Sequence, residues 1–291
     1  MQMIDLTNFN ERTLFIIGNG FDIAHNIKSS YSDFHDWLLR NRYEEFVSYL
    51  EKLFPSLNEG HPLLWKDFEK AIGIYDSKDI HTRFFQGIDN GFYDKETQLR
   101  VTERITPYVD MISKRLIEWA RNMEGITCKR KFKGLTNECL YLTFNYTLTL
   151  ENCYCIPRGN ICHIHGCIED ESIIVGHNIR RNPLQEYDNL DNIEQSRRNI
   201  VELMNKNEKP VEEIIKKKMD FFNSLNSIKR IIVVGHSLAQ VDMPYFIEVT
   251  NHINRSCIWH FCWHDPKEES RFNEIIHSFP FSLFVCQTHK I

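Results

Sequence analysis

A short apolar run near the amino terminus, Thr13–Ile17 (TLFII), ends directly in Gly18-Asn19-Gly20 and is followed by helix-forming sequence. Such a run between turn residues is typical of a buried strand. The glycines predict a tight turn, in which the backbone can approach a neighbouring segment closely. This pattern indicates a strand–turn–helix unit of the kind that begins a parallel α/β sheet.

The second half of the chain carries further short β-rich runs with helical patterns between some of them. These predicted strands cover residues 139–144, 161–165, 172–175, 229–234, 256–262 and 281–286. Apolar strands that alternate with helices predict a mostly parallel sheet with helices on both faces, a Rossmann-like α/β fold. We assign this domain to residues 1–27 and 136–291.

Residues 28–135 differ, because helical spacing dominates there and no convincing strand interrupts it. Apolar residues recur at helical intervals in 31–39, 67–75 and 99–123. We therefore predict a helical insertion over 28–135, placed after the first strand. Such an insertion could serve as a lid, as a sensor or as an oligomerisation region.

Composition narrows the possible functions. Lys and Arg total 35 against 40 Asp and Glu, and the resulting net charge of −5 makes nucleic acid an unexpected main partner. No apolar run approaches the ~18–20 residues that a membrane helix needs, and the amino terminus lacks the apolar core of a signal peptide. These features predict a soluble cytoplasmic protein that does not associate with membranes.

The cysteines raise the question of a metal site. Cys153, Cys155, Cys162 and Cys167 are separated by one, six and four residues, with histidines among them. Zinc sites more often pair their ligands with two to four residues between them. We therefore expect buried reduced thiols, and no metal.

The turn after the first strand is the first candidate ligand site. Gly18, Asn19, Gly20 and Asp22 lie where a backbone amide can meet a phosphate. The complete dinucleotide fingerprint is absent, because Ile23 stands where it has its last glycine. An ordinary strand–helix turn with Asp22 as the helix cap explains the same residues equally well.

Polar residues also follow the second and third predicted strands. Asn145 ends the second, where it can bind a sugar hydroxyl or simply occupy a turn. His165 precedes Gly166 at the end of the third, and we expect it to share one face of that strand with His163. His165 can act as a general base, bind a ribose hydroxyl or have a structural role.

The segment from Val233 to Ala239 (VVGHSLA) has two interpretations. It is similar to a nucleophile elbow, which would make Ser237 an acyl-enzyme nucleophile. The remaining members of such a triad would come from two sets of later residues: His264, His277 or His289, and Asp242 or Asp265. Alternatively, Gly235 and Ser237 form a second turn that binds phosphate or ribose, and Asp242 caps the next helix or faces the ligand.

The motifs follow one another in the order GNGFD, TFN, HIHG and GHSL. This order resembles that of the AbiH-type abortive-infection proteins of bacteria, above all through the segment IIGNGFDIAHNIKSSYSDF. It is also similar to the wider sirtuin-like superfamily of NAD-consuming enzymes. The resemblance implies a dinucleotide site with these roles: pyrophosphate at Gly18 and Gly20, nicotinamide ribose or attacking water at Asn145, catalysis at His165, and the adenosine side at Gly235 and Ser237.

Two departures from the sirtuin-like pattern refine what the resemblance implies. Thr147 stands where these proteins usually have an aspartate two residues after the asparagine, and the paired cysteines of the deacetylase zinc ribbon are absent. The implied activity is therefore NAD hydrolysis by an abortive-infection effector, with NAD as substrate and no further cofactor. A phage-derived trigger and a homo-oligomer are the expected partners. The alternatives are a serine hydrolase using Ser237 and a non-catalytic sensor of a nucleotide or phage component.

Overall fold

A computed structural model of the chain describes residues 4–5, 12–58, 64–85, 95–123, 132–171, 173–183 and 192–291. Its main sheet has six strands: β1 Thr13–Ile17, β2 Leu140–Thr143, β3 Ile161–His163, β4 Arg230–Val234, β5 Ile258–Trp263 and β6 Val285–Lys290. All neighbouring strands pair in parallel, in the order β3-β2-β1-β4-β5-β6. This is the strand order of doubly wound nucleotide-binding sheets, so the Rossmann-like prediction is confirmed.

The helices, numbered along the chain, are α1 Asn19–Ala24, α2 Tyr31–Arg40, α3 Glu44–Leu53, α4 Phe68–Gly73, α5 Ser77–Phe85, α6 Lys95–Arg121, α7 Thr149–Tyr154, α8 Asn192–Met204, α9 Val211–Lys217, α10 Met219–Asn223, α11 Met243–His252 and α12 Pro266–Ile275. Short 3₁₀ turns cover Pro55–Leu57, Leu64–Asp67, Arg158–Asn160, Asn205–Asn207, Ser224–Ser227, Gln240–Asp242 and Phe281–Leu283. No helix in the described ranges is long and apolar enough to cross a membrane.

The chain divides into two compact units. The first comprises Met1–Ser29, Ala120–Ile173 and Val211–Ile291, and the second comprises Ser30–Trp119 and Ile174–Pro210. The second unit therefore takes in residues 174–210 in addition to most of the predicted insertion. The reason lies in α8, whose buried apolar residues pack together with α5 inside this unit.

The core of the first unit explains why the strands are almost continuously apolar. On one face of the sheet, Phe15 of β1 stacks on Tyr141 of β2 with the ring centroids 5.4 Å apart. Phe21 of α1 and Tyr154 of α7 belong to the same buried cluster. Since β1 is buried along its whole length, the turn that follows it has a fixed position at the centre of the sheet.

The second unit is helical, as predicted. The helices expected over 31–39, 67–75 and 99–123 form as α2, α4 and α6. The side chain of Ser30 caps α2 by accepting the backbone N–H of Asp33, and the carboxylate of Asp33 accepts the backbone N–H of Ser30. In α4, Glu69 pairs with the Nζ atom of Lys209 at 2.9 Å. Glu69 and Lys209 therefore form an ion pair within the second unit.

Two strand predictions need correction, and one strand was not predicted. Ile173 and Val175 are buried, but residues 173–175 are irregular, so the predicted strand over 172–175 does not form across its described part. This run is apolar because it is buried. A strand also requires a neighbouring strand to pair with, and burial alone does not supply one. The predicted strand over 281–286 begins as a 3₁₀ turn, and its pairing is shifted to Val285–Lys290. Within 28–135, the short strand Phe132–Lys133 pairs in parallel with Ile4–Asp5.

Candidate functional site

Two glycine turns meet at the point where the strand order reverses, between β1 and β4. The backbone N–H of Gly18 donates to the carbonyl of Val234 at 3.0 Å, and that of Gly20 donates to Gly235 at 2.8 Å. Gly235 has a φ of +65°, and a Cβ placed on it would lie 2.2 Å from the backbone nitrogen of Phe21. The backbone contact between the two turns therefore requires glycine here, whatever ligand lies above them.

Asn145 lies at the end of β2, next to this junction. Its side-chain amide donates to the carbonyl of Gly18 at 3.1 Å, and its backbone N–H donates to the hydroxyl of Thr143 at 3.1 Å. The carbonyl of Asn145 accepts a hydrogen bond from Nδ1 of His163 at 3.1 Å. Both the backbone and the side chain of Asn145 are therefore held in one orientation.

His163 completes this network and is a structural anchor. Its Nδ1 must carry a proton to bond the Asn145 carbonyl, while its Nε2 lies 3.0 Å from Oε1 of Glu151. Burial raises the pKa of Glu151, but the hydrogen bond and charge of His163, with Arg158, outweigh it and hold this pKa below its ordinary value. The carboxylate of Glu151 thus stays ionised and accepts the N–H of His163 Nε2.

The expectation that His163 and His165 share a strand face is wrong. β3 ends at His163, and the chain turns through Ile164 to Gly166, which has a φ of +81°. The turn directs the two imidazoles to different partners. Nε2 of His165 lies 3.3 Å from the hydroxyl oxygen of Tyr245, on α11.

An aromatic cluster joins His165 to the end of β4. The ring of Phe144 meets the rings of His165 and His236 edge-on, with centroids 5.5 and 4.3 Å away. Tyr245 and Phe246 of α11 pack against the same ring. The carboxyl ends of β2, β3 and β4 therefore place Asn145, His165 and His236 at one edge of the sheet.

Sequence reasoning did not single out His236, although it directly follows Gly235 at the switch point. Its Nδ1 accepts the backbone N–H of Leu238 at 2.8 Å, so the proton of the neutral imidazole lies on Nε2. That nitrogen is 3.5 Å from Oδ2 of Asp242. Asp242 is the N-cap residue of α11, but its side chain makes no capping hydrogen bond. His236 and Asp242 instead stabilise the turn between β4 and α11.

Ser237 lacks the geometry of a catalytic nucleophile. It is exposed, the left-handed residues of this turn are Gly235 and Leu238, and α11 begins only at Met243. Of the candidate histidines, His264 bonds Glu268 and His289 bonds His260. Among the hydrogen bonds of the described residues, none joins Ser237 to an imidazole, and a triad requires such a bond. The site does not favour the serine hydrolase interpretation.

Asp22 does not cap a helix. α1 has Gly18 at its N-cap, whereas Asp22 lies within the helix and is 1% exposed. Its two carboxylate oxygens accept hydrogen bonds from the hydroxyls of Thr147, at 2.5 Å, and Thr149, at 2.7 Å. Burial raises the pKa of Asp22 to about 6, although these hydroxyls and Asn145 act in the opposite direction. Asn19, by contrast, is exposed and bonds Ser29.

The cysteines are mostly buried free thiols, as expected. Cys139, Cys162 and Cys167 are of this kind, and burial raises the pKa of Cys162 to about 11. Cys153 is an exception to the prediction of reduced thiols, because its sulfur is disulfide-bonded. No group of three or more metal-binding side chains occurs within the described ranges.

Comparison with known families gives one match. Residues 14–263 match the family described as bacteriophage abortive infection AbiH, and these residues make up most of the chain. They include every predicted site residue from Gly18 to Asp242. No curated protein and no solved structure matches the chain.

Proposed function

Since the chain belongs to the bacteriophage abortive infection AbiH family, we propose that it is an effector that cleaves NAD into nicotinamide and ADP-ribose. One observation carries the proposal. Asn145 and His165, from two different strand ends, lie at the same sheet edge as the Gly18–Gly20 and Gly235 turns. Sheets with this strand order bind dinucleotides where the order reverses.

Binding would use the two turns as the sides of the crevice. In this proposal the pyrophosphate lies over Gly18 and Gly20, whose lack of side chains lets this turn pack directly against the backbone of Gly235 and His236. The exposed hydroxyl of Ser237, on the opposite turn, is available to the adenosine ribose. Gly166 leaves space beside His165 for the nicotinamide ribose.

Cleavage breaks the bond between C1′ of this ribose and the nicotinamide nitrogen. The electron pair goes to the positively charged ring, so the leaving group departs neutral and needs no acid. C1′ becomes oxocarbenium-like, as in glycoside hydrolysis. Water then forms the new C1′–O bond, and its proton passes to His165 and on to solvent. Asn145 would orient the water or a ribose hydroxyl.

The burial of the two key side chains implies low activity at rest. Asn145 is 8% exposed and His165 is 3% exposed, so both are largely screened from solvent in this structure. Substrate contact would require this edge to open. An effector that waits for a signal of infection is expected to behave in this way, with a trigger that increases the rate of cleavage.

The test follows nicotinamide release from NAD by the purified full chain, and cellular NAD after phage challenge. We expect Asn145→Ala and His165→Ala to lose at least ~100-fold in rate, the scale of a lost general base. The matched controls are Asn273→Ala and His277→Ala, whose side chains are exposed. An active wild type whose Asn145 and His165 variants keep the full rate would refute the assignment. Tight NAD binding without turnover, in every condition including infected cells, would favour a sensor.

A further inference from the structure

A buried carboxyl group lies directly behind the Asn145 segment. Thr147 and Thr149, which bond the two oxygens of Asp22, follow Asn145 by two and four residues. Their hydroxyls also lie 3.1 Å apart, so the three side chains form one closed cluster. Asp22 is therefore tied to the segment that carries a proposed catalytic residue.

The same short helix holds this segment at two points. Gly18, at the N-cap of α1, accepts the side-chain amide of Asn145, and Asp22, within α1, accepts the two threonine hydroxyls. The separation between α1 and the segment following β2 thus depends on both contacts. A change at Asp22 would alter how the amide of Asn145 lies against Gly18.

Few charges act on Asp22. From β3, the charge of His163 favours the ionised carboxyl, and Glu151 of α7 is already paired with His163. On α1 itself, His25 bonds the Phe21 carbonyl and the Tyr154 hydroxyl. The oxygens of Asp22 accept the two threonine hydroxyls, the Asn145 side chain also favours the charged form, and ion pairing does little to offset the burial of this charge.

We propose, on the basis of the proposed function, that Asp22 is a positioning residue for NAD cleavage. Its carboxylate, acting through Thr147 and Thr149, holds Asn145 in the orientation that the reaction needs. Asp22 would then not contact the ligand, contrary to the role in cofactor binding predicted from its motif. Thr147, at the position of the usual aspartate, would serve as the link to a carboxylate on another element.

Protonation of Asp22 would disturb this arrangement. A carboxylate accepts a hydrogen bond at each oxygen, whereas a protonated carboxyl has one oxygen that donates. One threonine hydroxyl must then rotate or lose its partner. We therefore expect the rate of NAD cleavage to fall on the acid side of about pH 6, following the raised pKa of Asp22.

The experiment has a kinetic arm and a spectroscopic arm, both on the full chain. For Asp22→Asn we expect kcat to fall about 10-fold or more at pH 7.5, KM to change less than about 3-fold, and the part of the acid limb that follows Asp22 to vanish, so that only protonation of the proposed base His165 remains. Asp220→Asn, an exposed carboxyl replacement in α10, is the control. Thr147→Ser should retain the wild-type profile, whereas Thr147→Val should match Asp22→Asn.

The spectroscopic arm follows the side-chain NH₂ signal of Asn145 by NMR, assigned by its loss in Asn145→Ala. We expect it to shift with a midpoint near pH 6 in the wild type and to stay constant in Asp22→Asn. The proposal would be overturned if the dependence of kcat on pH were unchanged in Asp22→Asn. It would also be overturned if the Asn145 signal had the same pH dependence in Asp22→Asn and in the wild type. If Asp22→Asn does not fold, the comparison of Thr147→Ser with Thr147→Val tests the proposal instead.

The two arms separate this inference from the proposed function. A wild type that never cleaves NAD would remove the function, and the kinetic role of Asp22 with it. The NMR titration would still show whether Asp22 positions Asn145.

Discussion

Gly20 donates its backbone N–H to the carbonyl oxygen of Gly235 across 2.8 Å, and so joins the turns that follow β1 and β4. These two strands are neighbours in space but lie more than 200 residues apart in sequence. Direct backbone contact at the point of strand reversal leaves no room for side chains. The two glycine motifs are therefore two halves of one structural feature.

This contact predicts that Gly235→Ala strongly destabilises the first unit. The new Cβ would overlap the Phe21 backbone nitrogen, and the φ of +65° is unfavourable for alanine. We expect a loss of about 2 kcal/mol or more in the free energy of unfolding, measured by urea denaturation. Gly159→Ala is the control, because a Cβ there meets nothing within 4 Å. Equal stability of the two variants would contradict this explanation of the glycine motif.

The fold was largely predictable, for a physical reason. Strands buried on both faces must be apolar throughout, so β1, β2, β4 and β5 stand out in the sequence. The failure at 172–175 has the same origin. Ile173 and Val175 are buried, but pairing with a neighbouring strand is a long-range property that a local apolar run does not encode.

The candidate site was predictable in position but not in its contacts. Asn145 and His165 were found because strand ends converge at one edge of a parallel sheet. His236 was missed, since only the meeting of the β1 and β4 turns shows its place beside Phe144. The burial of Asp22 was also hidden, because its partners Thr147 and Thr149 lie more than 120 residues away.

In the second unit, the Glu69–Lys209 pair should be worth far more than a surface ion pair. The side chain of Lys209 is 0% exposed, so Glu69→Gln takes the Glu69 carboxylate away from a buried ammonium. We expect a loss of about 3 kcal/mol in the free energy of unfolding. The double variant Glu69→Gln/Lys209→Met should regain most of this loss, because the buried ammonium group is then absent as well.

The control for this pair is Asp79→Asn, which breaks the ion pair of Asp79 with Arg83 on α5. Both of these side chains are at least one-third exposed, so its loss should cost less than about 1 kcal/mol. Urea denaturation of the four proteins, wild type included, gives the comparison. If Glu69→Gln costs no more than Asp79→Asn, solvent reaches Lys209 and the pair is not buried.

The histidine pair on β5 and β6 predicts a loss of stability in acid. Nδ1 of His260 lies 2.8 Å from Nε2 of His289, and burial, followed by the charges of His289 and Arg230, lowers the pKa of His260 to about 4. Between pH 6.5 and 4, His260 therefore binds a proton in the unfolded chain but not in the folded chain. The free energy of unfolding should fall by about 2 kcal/mol as the pH drops across this window.

Replacement of His260 tests this assignment. In His260→Gln, the unfolding free energy should depend less on pH between 6.5 and 4, whereas His277→Gln, at an exposed position, should keep the wild-type slope. The slope must be measured over this pH range with Asp22 in mind, because protonation of Asp22 changes the unfolding free energy in the opposite direction. Its raised pKa makes protonation stabilise the fold as the pH falls through about 6. Identical slopes in His260→Gln and wild type would show that His260 titrates normally.

The hydroxyl of Tyr245 should matter for activity more than for stability. It lies 3.3 Å from Nε2 of His165, so Tyr245→Phe removes a partner of the proposed base while the ring still packs against Phe144. Loss of one hydrogen bond of about 1 kcal/mol should lower kcat for NAD cleavage by about 5- to 10-fold. Tyr43→Phe is the matched control, since its hydroxyl bonds Glu118 in the second unit. Equal kcat values for the two variants, with both chains folded, would remove His165–Tyr245 from the mechanism.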